Sequence, residues 1–180
     1  MALDFEEIKS AQNGLDVIAS LEKYASDGWE SIPEDDRDVR LKWWGVFFRR
    51  HTPGYFMMRL RIPNGITNSR QVRAIAAIAN EFGRGIGDIT TRQQIQLRWI
   101  DIKRVPAILD RLVVVGLITL QTGMDNIRNV VGCPVAGLTP NELLDASPAA
   151  RAFTIEWATS YPNPVVSATV LSGRAARSRR

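Results

Sequence analysis

Thiols are nearly absent from this chain: Cys133 is the one cysteine among 180 residues. An internal disulfide is therefore excluded. Imidazole is equally scarce. The one histidine, His51, stands in an RRHTPG loop and reads as a solvated side chain rather than a ligand. No apolar run approaches the length of a membrane span. The opening decapeptide MALDFEEIKS is acidic and amphipathic, unlike a secretory signal or an Arg/Ser-rich transit peptide, which predicts a cytoplasmic protein. Acids stop at Glu156, while Arg174, Arg177, Arg179 and Arg180 crowd the C-terminus; removing those four charges takes the formal net charge from +4 to zero. The basic isoelectric point thus says little about the folded part, which is long enough for one domain with a substantial core.

What is present begins with a helical pattern over residues 3–26, interrupted at Asn13-Gly14 and stopped by Gly28. Residues 31–40 (SIPEDDRDVR) are polar and read as exposed. The dense aromatic run LKWWGVFFRR follows, and Trp43, Trp44, Phe47 and Phe48 read as packing of the N-terminal segment onto a domain. Residues 56–62 then alternate, with Phe56, Met58, Leu60 and Ile62 on one side and Met57, Arg59 and Arg61 on the other. Pro63-Asn64-Gly65 is a turn. Asn68 or Ser69 caps a helix reaching Phe82, and glycines 83, 85 and 87 end it. A dinucleotide fingerprint has strand before glycines and helix after, so the reversed order excludes it. Residues 89–100 alternate again: Ile95, Leu97 and Trp99 fall on the core phase, Arg92, Gln94, Gln96 and Arg98 on the other. A helix over residues 105–115 and a strand over residues 117–121 complete a β-α-β-α-β order, which predicts an α+β ferredoxin-like sandwich with two helices on one sheet face. A short helix capped by Thr139 or Asn141 is expected before Phe153, and residues 154–180 form an irregular basic tail.

The free sheet face would carry Arg59, Arg61, Arg92, Gln96 and Arg98, arginines without an acid among them. Planar guanidinium forks suit carboxylates, phosphates and small oxyanions. A solvated polar face is the plain alternative. Nucleic acid is a further one, disfavoured because Phe56 and Trp99 fall on the core phase and leave no exposed aromatics for stacking.

The stretches DRDVRLKWWGVFFR, TPGYFMMRLRIPNG, DITTRQQIQLR and GLITLQTGMDNIRNVVGCPVAGLTPNELLD go further. Over residues 15–153 the chain resembles the N-terminal half of ferredoxin–nitrite reductases, of the sirohaem nitrite/sulfite reductase superfamily. The resemblance implies reduction of nitrite to ammonia, with electrons passing from reduced ferredoxin through a [4Fe–4S] cluster to sirohaem. It implies that Arg59 and Arg128 contact the bound anion, that Arg61 and Arg92 pair with sirohaem carboxylates, and that Gln96 and Arg98 lie by the macrocycle. It also divides the chain into a helical segment (1–50), a ferredoxin-like half domain (51–122), the beginning of a sirohaem/[4Fe–4S] domain (123–153) and a divergent tail (154–180). The family's cluster needs four cysteines from its C-terminal half, and Cys133 alone cannot replace them. The family's distal lysines come from that half as well; Lys42 and Lys103 stand in unrelated contexts. The expectation is therefore a half enzyme, inactive alone, that shares sirohaem with a C-terminal half or partner chain. A non-catalytic tetrapyrrole- or partner-binding subunit is the alternative. Neither reading calls for nucleic acid or a membrane span.

Overall fold

The computed structural model describes residues 4–124 and 126–159. Helix α1 (Phe5–Ala11) starts where the Asp4 carboxylate accepts the Glu6 and Glu7 N–H groups, at 3.0 and 3.2 Å. The expected break follows: Asn13 caps a 3₁₀ segment, Gly14–Ser20, which leads into α2 (Leu21–Asp27), and Gly28 ends that helix at φ +95°. Gly14 lies on the Trp43 indole, where a Cβ would sit 2.5 Å from the ring, and Trp44 Nε1 donates to the Leu15 carbonyl at 2.9 Å. The tryptophans thus fasten the N-terminal segment to the domain, as the aromatic run predicts.

Residues 31–40 correct the expectation of an exposed stretch. Within and beside α3 (Glu34–Asp38), Asp36, Asp38 and Arg40 are buried and Val39 is fully so. The charges neutralise one another: Asp36 accepts from Tyr24 Oη and, at 2.6 Å, from Arg40 Nη1, while Arg40 Nη2 reaches the Ile8 carbonyl and Asp38 is paired with Arg37 and Arg50. Burial is tolerable because the side chains meet opposite charges or hydrogen-bond partners.

The sheet runs β1 (Val46–Phe48), β2 (Tyr55–Leu60), β4 (Ile95–Asp101), β3 (Gly87–Ile89), with every neighbour antiparallel. Helices α4 (Ser69–Phe82) and α5 (Val105–Val114) cover one face; Ile75, Ile78, Ile108 and Leu112 join Phe56, Met58, Leu60, Leu97 and Ile100 in one core. A capping box between Asn68 and Gln71 starts α4, and Gly83 ends it. This is the mixed helix and antiparallel-sheet architecture of a ferredoxin-like half domain, with three departures from the sequence expectation.

First, residues 117–121 form no strand; Ile118 makes one bridge to Arg61. The reason is competition for an edge. Val46–Phe48 and the Gly45 carbonyl already take that side of β2 as far as Arg59, so only the Arg61 N–H is left for Ile118, at 2.8 Å. Second, Trp99 leaves the core phase. Met57 faces two residues of β4, Arg98 and Trp99, and this bulge puts Trp99 at φ +64° and hands the core position to Ile100. The Trp99 ring meets Tyr55 edge-on and lies under Arg84, 3.6 Å from its centroid. The open face therefore does carry aromatics, contrary to the expectation. Third, the helix expected before Phe153 is α6 (Ser147–Thr159), which starts after Asp145 accepts the Ser147 N–H. A start at Thr139 or Asn141 would place Pro148 inside the helix, where it lacks a donor and collides with the preceding turn. Of the tail expected to be irregular from residue 154, residues 154–159 instead continue α6, and residues 160–180 lie outside the described residues.

Candidate anion site

Arg59 occupies the centre of the open sheet face, directly opposite Gln96 on β4. Nothing acidic among the described residues pairs with it. Its guanidinium donates to the Thr122 carbonyl at 3.0 Å and stacks on the Phe47 ring, 4.7 Å from the centroid. With the Gln96 amide turned so that its oxygen faces Arg59, that oxygen accepts from Arg59 Nε (3.2 Å) and Nη2 (3.0 Å); turned the other way, it accepts from Arg98 Nη2 at 3.4 Å. Burial, and then the charges of Arg128 and Arg92, pull the Arg59 pKa below the ordinary guanidinium range. Three cations from three separate segments thus converge closely enough to repel.

Arg92 comes from the turn between β3 and β4. Thr90 organises that turn: its N–H donates to the Gln94 carbonyl, its carbonyl accepts from Gln93 N–H, and its hydroxyl accepts from Gln94 N–H. Arg128 comes from the irregular stretch after residue 122, where its Nη2 donates to the Met124 carbonyl at 3.3 Å. Asn129 ties these parts together, donating to the Arg92 carbonyl (2.8 Å) and the Ile62 carbonyl (2.9 Å). Gln93 Nε2 adds a bond to the Gly132 carbonyl at 3.1 Å. Between them opens a hollow of about 390 Å³ lined by Arg92, Met124, Asn126, Arg128 and Asn129. Its described lining contains cations and amides and no carboxylate.

The other expected residues stand differently. Arg61 lies on the predicted side of β2 but is 1% exposed, because residues 118–127 cross over it. Its Nε and Nη2 donate to the Leu120 carbonyl, and Nη2 also reaches the carbonyls of Gln121 and Ile127, both at 2.9 Å. Burial alone lowers its pKa to about 10. Arg98 shares the face with Arg59 and is ion-paired with Asp88, which β3 places opposite Gln96. The face is therefore not free of acid, because the short strand Gly87–Ile89 brings one to it. The structure brings Arg59, Arg92 and Arg128 near one another, sets Gln96 beside Arg59, and engages Arg61 and Arg98 elsewhere. Sequence reasoning missed Phe47, taken for a packing residue, although its alternation with Phe48 across β1 signals the opposite face. It also missed the bracing role of Asn129, for which only the tertiary contact speaks.

Residues 48–115 match the model of the nitrite/sulfite reductase ferredoxin-like half domain. Its relatives are particular enzymes. The chain is 49% identical over 142 residues to the ferredoxin–nitrite reductase of Leptolyngbya laminosa, covering 78% of this chain and 28% of that protein. It is 53% identical over 119 residues to the chloroplastic ferredoxin–nitrite reductase of Zea mays, covering 65% of this chain and 21% of that protein. The assimilatory ferredoxin-dependent nitrite reductase of Haloferax mediterranei is 42% identical over 170 residues, with 87% and 29% covered. Among solved structures, the Mycobacterium tuberculosis NirA protein superposes with a TM-score of 0.76 at 34% identity, covering 89% of this chain and 32% of that one. The chain thus spans less than a third of the length of these relatives.

Proposed function

We propose that this chain is the segment of a ferredoxin-dependent nitrite reductase that supplies fixed guanidinium groups to nitrite and to the carboxylates of sirohaem. One observation carries the reading: Arg92 and Arg128 line an open hollow with no described acid in its lining, and both stand near enough to Arg59 to lower its pKa. Repulsion of this kind is stable only when an anion completes it or the surrounding fold over-determines it. The residues also fit a large carboxylate-bearing ligand. Gln93 Oε1 and Gln94 Nε2, in the turn that carries Arg92, are buried without a hydrogen-bond partner, which points to a ligand or water at that edge. Arg92 would hold a carboxylate there, and Gln96 would steady Arg59. Arg61 and Arg98 reach a carboxylate only by exchanging partners they already hold.

Sirohaem, when bound, supplies the electron-rich iron at which nitrite is reduced. The chain's own contribution is electrostatic. Arg59 and Arg128 bind the anion, orient it, and stabilise the negative charge that grows on its oxygens as electrons arrive. Their N–H groups would donate hydrogen bonds to those oxygens. A [4Fe–4S] cluster does not fit this chain: Cys133, exposed, offers a single thiolate, and among the described residues no group of three His, Cys, Asp or Glu gathers to replace the others. Electron entry from reduced ferredoxin is accordingly assigned to the remainder of the enzyme, supplied by a C-terminal half or partner chain. The same reading makes the protein cytoplasmic. No described helix is long and apolar enough to cross a membrane.

The test is complementation. The chain alone should turn over no nitrite, and should gain activity with reduced ferredoxin or a viologen dye when a relative's C-terminal half is supplied. In that assembly Arg59→Ala or Arg128→Ala should cut turnover by roughly two to three orders of magnitude, the scale of losing one fixed donor to developing charge. Sirohaem content, read from the Soret band, should stay near that of the parent. Unchanged turnover in both variants would reject the reading.

A further inference from the structure

Several arginines of this protein are held by acids. Asp88 holds Arg98 and Glu81 holds Arg111, so each of those charges is largely cancelled where it stands. Arg59 is held differently. Its tethers are an aromatic ring, an amide oxygen and a peptide carbonyl, and all three are neutral. A guanidinium has five N–H donors. The Gln96 oxygen takes Nε and one on Nη2, and the Thr122 carbonyl takes one on Nη1. One N–H on each terminal nitrogen remains.

We propose that Phe47 and Gln96 are positioning residues that immobilise Arg59 without neutralising it, so that its full charge and two N–H groups face the incoming anion. The inference rests on the anion-site reading above. Without such tethers Arg59 would swing into water, away from Arg92 and Arg128, which repel it. The ring quadrupole opposes that movement by attracting the cation, and the amide fixes the plane of the fork. The binding anion then meets a fork whose rotamer is already ordered, which lowers the entropic cost of association.

The tethers are themselves built in. Register places Phe47 opposite Met57, on the Arg59 side of the sheet, and Gln96 opposite Arg59. Gly123 passes so close beneath Phe47 that a Cβ would lie 2.5 Å from the ring carbon Cζ. A side chain there would evict the ring. The Thr122 hydroxyl donates to the Thr119 carbonyl at 2.8 Å, which sets the orientation of the residue whose carbonyl receives Arg59.

Two variants separate positioning from mere packing, each read by the ¹⁵N-labelled chain's Arg59 Nε–H signal and by titration with sodium nitrite. Phe47→Leu keeps bulk and removes the quadrupole. It should move the Arg59 signal out of its ring-current position and weaken nitrite binding roughly threefold to tenfold, the scale of a half-desolvated cation–π contact. Phe47→Tyr, which keeps the ring, should restore both. Gln96→Glu replaces the neutral tether with a charged one. It should leave the fold as stable as the parent or more so, and still weaken nitrite binding about tenfold or more, because the carboxylate now occupies the charge. A purely structural role predicts no loss of binding in that variant. Parent-like nitrite binding by both Phe47→Leu and Gln96→Glu would overturn the inference. If the parent chain shows no response to nitrite, the functional reading fails and the Arg59 signal decides alone: displacement in Phe47→Leu sustains the tether, and an unmoved signal refutes it.

Discussion

Replacing Arg61 by methionine keeps the aliphatic stem of a side chain that is 1% exposed and removes its guanidinium. Three carbonyls, those of Leu120, Gln121 and Ile127, then lose the donor that holds them. A buried acceptor left unmet costs roughly 1–3 kcal/mol, so the loss is about 5 kcal/mol in all. Against this stands the release of a buried cation. A pKa pulled from the ordinary guanidinium range down to about 10 means that keeping that charge buried costs the fold about 3 kcal/mol at 1.36 kcal/mol per pKa unit. The net expectation is a destabilisation of about 2 kcal/mol, which lowers Tm by roughly 4–8 °C in a chain of this size. Arg61→Lys retains the buried charge and loses the planar fork that spans three acceptors, so it should be at least as unstable as the methionine variant. Thermal unfolding followed by circular dichroism reads both. A methionine variant as stable as the parent would show that the carbonyl contacts contribute nothing. A lysine variant as stable as the parent would show that charge alone, not fork geometry, holds residues 118–127 in place. Because that crossing carries Met124, Asn126 and Arg128 toward the hollow, either destabilised variant should also bind nitrite less well, although Arg61 does not line it.

Gly45→Ala should cost more than about 3 kcal/mol, since φ is +72° and a Cβ would meet the Thr119 carbonyl oxygen at 2.5 Å; Gly116→Ala, at φ +71° with nothing within 4 Å, should cost only the roughly 1–2 kcal/mol of left-handed strain. A chemical-denaturation midpoint that falls equally in the two would refute the close-approach argument. Burial and then Asp36 raise the Tyr24 pKa to about 12, above its ordinary 10.0, so the folded state binds more protons between those values. Its stabilising contribution is complete below pH 10 and is lost as pH rises to 12. Tyr24→Phe should flatten that alkaline fall in stability, and an unchanged slope would show that the phenol is not the group responsible. Arg61 acts with the opposite sign, its folded pKa lying below the unfolded one, so the cost of its burial is relieved as pH rises above about 10. Arg61→Met should accordingly show a steeper alkaline loss than the parent.

The period of two over residues 56–60 determined by itself which side chains of β2 enter the core, because slipping one residue would have put Phe56, Met58 and Leu60 in water. The break at Asn13-Gly14, the cap at Asn68 and the stop at Gly83 were equally local, each following from backbone conformation or capping chemistry that a few adjacent residues decide. The guanidinium-rich pattern offered Arg59, Arg61, Arg92 and Arg98 as partners for an anion, with a solvated face as the alternative, and Arg128 entered only through the family resemblance. What the tertiary structure alone decided was how each charge is answered. Asp88 reaches Arg98 because β3 folds back onto β4, and the carbonyls of residues 120–127 reach Arg61 because β1 leaves them only the far end of an edge. The bulge at Arg98-Trp99 moved one aromatic out of the core, and the pairing of β1 with β2 set Phe47 under Arg59. Those outcomes depend on register between distant segments and on which carbonyl or ring arrives first at an unfilled donor. No local pattern encodes them, because the partners sit on different segments, from 10 residues apart for Asp88 and Arg98 to 66 for Arg61 and Ile127, and meet only when the sheet closes.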